Sequence, residues 1–150
     1  MNLQSIKKTL ISLLLACVNI MAWGQTEAGL EMLRKAEAGD AKAQYHVYLY
    51  LLIGEEGFSK NKAESIKWLK RSAENGYAQA QSELGNCYFY GSIGLSKDEG
   101  KGLEWLMKAV EGGDVLAMFR LGQHYERIDN HKAIYWYKKD MDKYYEMYGI

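Results

Sequence analysis

The chain repeats itself every 37 residues. Gly39, Gly76 and Gly113 are spaced by that offset, and so are Ala43, Ala80 and Ala117. The offset also carries Ala41 to Ala78 and Val115, Trp68 to Trp105, Gly54 to Gly91, Gly57 to Gly94, and Asn61 to Asp98. Self-similarity at a period between 20 and 50 residues marks a repeat array, in which a unit too small to bury its own apolar face buries it against the next unit. A single closed core with unrelated elements would not return the same small residues and the same tryptophan at one spacing.

Each unit reads as two helices. The first is expected over Ala41 to Ile53, Ala78 to Tyr90 and Val115 to Arg127. The second is expected to start after Asn61, Asp98 or Asp129, whose short polar side chains accept hydrogen bonds from the free N–H groups of a helix start. Glu64, three residues after Asn61, nearly completes a capping box. Gly76 and Gly113 close the second helices, because glycine enters the left-handed region that ends a helix without a Cβ clash. Gly39 closes an earlier helix, Glu27 to Ala38, read as a lone half-repeat capping the array. The chain has 15 glycines and no proline, so its helix stops must be made by glycine and by capping Asn or Asp.

The third unit departs from the period. Trp136 follows Trp105 by 31 residues, because Arg127-Ile128-Asp129 replaces the longer glycine-bearing connection. Beyond Lys139 the pattern dissolves, as expected of a terminal unit with a wetter outer face. The units are placed at about 40–76, 77–113 and 114–144. The fold class expected is all-α, a right-handed α/α solenoid of about three two-helix repeats with an N-terminal half-repeat cap.

The first 24 residues read as an address. Lys7 and Lys8 precede a mostly apolar run from Thr9 to Ala22, shorter than the roughly 20 apolar residues a membrane-spanning helix needs. Ala22-Trp23-Gly24 supplies small residues for cleavage before Gln25. Leu14-Leu15-Ala16-Cys17 offers a second reading, a weak bacterial lipobox with Cys17 as a lipid anchor. Both readings export the protein, to the periplasm or the medium, or to a membrane surface through Cys17. Removing residues 1–24 leaves 126 residues with 17 basic and 19 acidic side chains, a net charge of −2. That balance argues against nucleic acid as a partner. Cys87 is then the one other cysteine; it cannot form an internal disulfide and reads as a small buried apolar residue.

No catalytic constellation emerges. His46, His124 and His131 are the only histidines, and neither a His-Glu-x-x-His zinc motif nor a Gly-x-Ser-x-Gly nucleophile elbow is present. His124 and His131 could approach across the short third connection, but two histidines without a third ligand are a poor metal site. Gly94 to Gly102, with Lys97 and Lys101, lacks the spacing and the preceding strand of a phosphate loop. Glu55-Glu56 and Asp98-Glu99 fall in turns or at helix starts, where acids favour the helix dipole. No metal and no cofactor are expected.

Three motifs carry a family resemblance. Leu84-Gly85-x-x-Tyr88-x-x-Gly91, then Gly94-Leu95-x-x-Asp98, then Lys101-Gly102-x-x-Trp105-x-x-Lys108-Ala109 resemble the Sel-one-like repeat, an α/α relative of the tetratricopeptide repeat. The other copies give Trp68 with Ala73-Glu74-Asn75-Gly76, and Leu121-Gly122-x-x-Tyr125 with Lys132-Ala133-x-x-Trp136. The first copy has Val47-Tyr48 where Leu-Gly is usual. The small residues, Gly85 and Gly122 among them, would let helices approach closely, and Trp68, Trp105 and Trp136 would fill the space between layers. The resemblance implies a scaffold rather than chemistry. A cysteine-rich exported branch of the family, described as β-lactamase-like, supplies the enzymatic alternative. Its cysteine pair in each repeat is missing here.

In such arrays the first helices line a concave groove. With Val47, Leu84 and Leu121 taken as equivalent, the groove positions are Lys42, Tyr45 and Leu49, then Gln79, Ser82, Asn86, Phe89 and Tyr90, then Phe119, Gln123, Glu126 and Arg127. Tyr45, Ser82, Asn86, Phe89, Tyr90, Gln123 and Arg127 are the candidate partner-binding residues, because aromatics and arginine dominate interface hot spots. The expectation is an exported, monomeric adaptor for a peptide or protein.

Overall fold

A computed structural model describes residues 26–149. Seven helices follow in chain order: α1 (Glu27–Glu37), α2 (Ala41–Ile53), α3 (Lys62–Glu74), α4 (Ala78–Tyr90), α5 (Glu99–Glu111), α6 (Val115–Tyr125) and α7 (Asn130–Tyr148). No strand occurs among the described residues. The pairs α2–α3, α4–α5 and α6–α7 pack most extensively, and each pair also packs on the next. The result is an all-α helical repeat solenoid with α1 as a half-repeat at its N-terminal end.

Local chemistry sets the boundaries as the sequence suggests. Asn61 accepts from Glu64 N–H, Asp98 from Lys101 N–H, and Asp129 from His131 and Lys132 N–H. Asp40 and Asp114 do the same for α2 and α6 through Ala43 and Ala117 N–H. Gly76 has φ +85°; its N–H donates to Ala73 C=O while Tyr77 N–H donates to Ser72 C=O. These paired bonds satisfy carbonyls that the end of α3 would otherwise leave bare. The same pair recurs after α1 and α5.

Two boundaries differ from expectation. Helix α6 stops at Tyr125, because Ile128 and Asp129 N–H groups both turn back onto Tyr125 C=O. This bond preserves the architecture of the longer connections, in which Asn61 N–H reaches Leu51 C=O and Asp98 N–H reaches Tyr88 C=O. Leu51, Tyr88 and Tyr125 are equivalent, so the shortened loop keeps its anchor and loses only the intervening turn. Helix α7 runs to Tyr148, past the expected end near 144. The position that glycine occupies after α3 and α5 is Tyr144 here, and the left-handed stop comes only at Gly149, φ +65°.

Small residues set the helix spacing. A Cβ on Gly85 would lie 2.9 Å from Gly102 C=O and 3.1 Å from the Leu106 nitrogen, so α4 and α5 touch backbone to backbone. In the first repeat the equivalent of Gly85 is Tyr48, which is fully buried and joins the core itself. Trp68 and Trp136 are buried at 7% and 8% exposure. Trp105 is only half-buried: it packs against the first core cluster, and its open side lies under Lys108 Nζ, 4.4 Å from the ring centroid. Arg71 and Lys139 stand in the same relation to Trp68 and Trp136, at 4.9 and 5.2 Å. Each such cation–ring contact contributes about 0.5–1 kcal/mol where solvent reaches it.

Gln44 and Gln81 add a polar rung. Both are buried, and their Nε2 groups donate to Ala36 and Ala73 C=O on the preceding helix. Each bond ties one repeat to its predecessor and satisfies an amide that would be costly to bury bare. In the third repeat Met118 takes this position and packs in the second core cluster instead. Cys87 is buried and free, with burial raising its thiol pKa; a thiol in that state is unreactive.

Candidate partner-binding face

Two clefts open between the first helices. One, of about 680 Å3, lies toward the N-terminal ends of α4 and α6 and is lined in part by Tyr45, Tyr77, Gln79, Ser82, Asp114 and Arg120. The other, of about 300 Å3, lies toward their C-terminal ends. The second gathers Asn86, Phe89, Tyr90, Gln123 and Arg127, five of the seven candidate residues, together with Lys97, Glu99, His124 and Ile128. The helical period explains the convergence. Asn86 and Gln123 are one repeat apart and so sit side by side on α4 and α6, while Phe89 and Tyr90 follow one turn on.

The remaining two candidates sit elsewhere. Tyr45 lines the first cleft, half-buried, with its ring 5.3 Å from Tyr77 and 5.5 Å from Tyr48. Burial, with Glu83 nearby, raises its phenol pKa. Ser82 is only 1% exposed, and its hydroxyl accepts from Arg120 Nη1 at 2.9 Å. It therefore positions a groove residue rather than presenting a contact surface. Leu49 packs against the core, and Phe119 turns toward α7, its ring 5.8 Å from Tyr137. Lys42 and Glu126 line neither cleft.

Arg120 is the residue that sequence reading passes over. It lines both clefts, and its other nitrogen, Nη2, pairs with Glu83 at 2.8 Å. Glu83 and Arg120 are 37 residues apart, so the repeat offset itself places opposite charges at equivalent positions of neighbouring helices. Both are largely shielded, which distinguishes this pair from the exposed pairs along α1, α3 and α5. Asp114 is half-buried beside it and caps α6; burial raises its carboxyl pKa despite the opposing pull of the Ala117 N–H and Arg120.

The groups on offer at the second cleft are aromatic, aliphatic, amide and guanidinium side chains. Exposed Tyr90 and Ile128, at 73% and 67%, sit beside the amides of Asn86 and Gln123. His124 lies 4.6 Å from the tilted Phe89 ring and meets Tyr125 edge-on at 5.0 Å, while His131 is exposed on α7. Among the described residues no group of three His, Cys, Asp or Glu could hold a metal ion, and no helix is long and apolar enough to cross a membrane.

Stacked two-helix units with close α/α contacts define the class, a short helical-repeat protein. The Sel1 repeat matches residues 41–77, 78–114 and 115–139, and the chain belongs to that family. It is similar to the crystal structure of a Sel1 repeat protein from Oxalobacter formigenes, with 33% identity and a TM-score of 0.68 over 76% of this chain and 88% of that one. It is also similar to a protective antigen present in uropathogenic Escherichia coli strains that displays an SLR fold. That match has 28% identity and a TM-score of 0.70 over 77% of this chain. The matched part is 25% of the antigen's own length. No match was found among curated proteins. Sel1 repeats are generally protein-interaction modules, and the fold is typically a non-catalytic scaffold.

Proposed function

We propose that the protein is an exported adaptor whose concave face, built by α2, α4 and α6, holds a peptide or protein partner. The observation that carries this reading is the second cleft. Exposed aromatic and aliphatic groups there alternate with amides and an arginine, the composition that favours interface hot spots over plain solvated surface. Export is supported by Lys7, Lys8 and the apolar run that follows, which lie outside the described residues. Cleavage before Gln25 would leave Thr26 in place, whose hydroxyl accepts from Gly29 N–H and caps α1. Lipidation at Cys17 would instead tether the same array to a membrane surface.

In-cell crosslinking with identification of the captured protein tests the binding reading. Replacing Asn86, Phe89 and Arg127 together with alanine should abolish capture while leaving helicity intact. Undiminished capture by the folded triple variant would remove the site from this face. Mass spectrometry of the exported protein tests the address. A mature N-terminus at Gln25 or a lipidated Cys17 supports export, and an uncleaved, unmodified chain retained in the cytoplasm contradicts it.

A further inference from the structure

The charges in the second cleft do not cancel. Lys97 Nζ lies 2.8 Å from Glu99 Oε1, and Arg120 pairs with Glu83 at 2.8 Å, so two of the three basic residues lining the cleft already have a carboxylate. Arg127 makes no ion pair among the described residues and is exposed at the mouth. A ligand that brings one negative charge would balance the site; one that brings none would leave Arg127 as it is, and a cation would be repelled. Guanidinium binds a carboxylate through two parallel hydrogen bonds, which fixes orientation as well as charge.

Apolar surface stands next to that charge. Ile128 follows Arg127 in the chain, and Tyr90 is largely exposed, while the Phe89 ring is fixed by His124 on one side and close contact with Gly102 on the other. Asn86 and Gln123 supply amide donors and acceptors suited to a passing backbone. Arg120 lines this cleft and the first one alike, so the two clefts lie in line on the face, on either side of that side chain, with Asp114 and Tyr77 in the first. Two clefts in line on one face suit an extended chain that crosses both rather than a compact ligand that fills one.

We propose that the second cleft takes an extended, internal segment of a partner protein, with one Asp or Glu side chain on Arg127 and a neighbouring apolar side chain against Phe89 and Ile128. This assignment rests on the reading of the concave face as a partner site. The probe is a library of random heptapeptides flanked on both sides by fixed linkers, selected on protein purified after expression of the full-length chain. Enrichment of one acidic residue within two positions of an apolar one is expected. Selected peptides should bind the Arg127→Glu variant about tenfold or more weakly, as loss of a charged hydrogen-bonded pair implies. Lys138→Glu, the same charge change on exposed α7, should leave binding unaltered, and Arg127→Lys should retain part of it.

Enrichment of neutral or basic apolar peptides that still require Phe89 and Gln123 would overturn the acidic assignment and leave the partner face standing. The same would follow if only a companion library ending in a free C-terminus were enriched. Enrichment unaffected by any substitution of the cleft-lining residues, or no enrichment of either library over an empty support, would overturn both. Circular dichroism of Arg127→Glu separates lost binding from lost fold, and its exposed position predicts an unchanged spectrum.

Discussion

Gly85→Ala and Gly100→Ala are the same chemical change in one repeat, and the structure gives them opposite signs. At Gly85 the added methyl would sit 2.9 Å from Gly102 C=O, 3.0 Å from Leu106 Cγ and 3.1 Å from the Leu106 nitrogen. Two of those three neighbours are backbone, so α4 and α5 must separate by a few tenths of an ångström. Overpacking of this kind costs about 1–3 kcal/mol. Replacing helical glycine with alanine returns about 0.5–1 kcal/mol through propensity. The net expectation is a loss of about 0–2.5 kcal/mol, centred on about 1 kcal/mol, or roughly 4 °C in Tm for a chain of this size. At Gly100 the methyl would meet only Asp98 Oδ1, at 3.5 Å, so the propensity gain stands alone and Tm should rise by about 1–4 °C. Thermal melts at 222 nm with urea titrations measure both. A Gly85→Ala protein that gains stability, as Gly100→Ala should, would refute the backbone contact between α4 and α5.

Other expectations can be tested the same way. Trp68→Ala and Trp136→Ala should each cost about 3–5 kcal/mol, and Trp105→Ala less because that ring is only partly buried; equal losses in urea titrations would contradict the burial difference. Gly76→Ala should cost about 1 kcal/mol through its left-handed backbone alone, since nothing crowds its Cβ, and Gly76→Asn should cost less. Asp114 has a carboxyl pKa raised by burial, so protonation favours the fold. Its contribution is fully present below the ordinary value of 3.8 and is lost as pH rises through the folded pKa. Asp114→Asn, which keeps a capping oxygen, should therefore gain relative to the parent between pH 3.5 and pH 7. A constant difference in urea midpoint across that range would contradict the burial.

The period made the architecture legible, because the residues that repeat are those that stack: Ala43, Ala80 and Ala117 are all buried, and the polar caps at Asn61, Asp98 and Asp129 all bond as their chemistry suggests. What periodicity conceals is what a terminal unit does differently. Tyr144 in the register of Gly113 lets α7 run on, and Met118 in the register of Gln81 drops the glutamine rung. Cleft membership was half legible. Asn86, Phe89, Tyr90 and Gln123 share a face by helical spacing and Arg127 joins them from the turn after α6, whereas Ser82 shares that face yet is sealed by Arg120. A side chain covered by the neighbouring helix looks, in sequence, like one that faces the groove. The Glu83–Arg120 pair could have been found by asking which charges the offset brings together, rather than which residues it conserves.

Site-specific photo-crosslinking in the cell reports directly on whether a partner lies in the groove. A photoreactive residue at Gln123 faces the second cleft, and one at Lys67 sits exposed on α3. A discrete protein adduct is expected from position 123 that disappears when Arg127→Glu is added, and none from position 67. An adduct formed equally from both positions, or one from position 123 indifferent to the Arg127 and Phe89 side chains, would contradict a partner held in the groove.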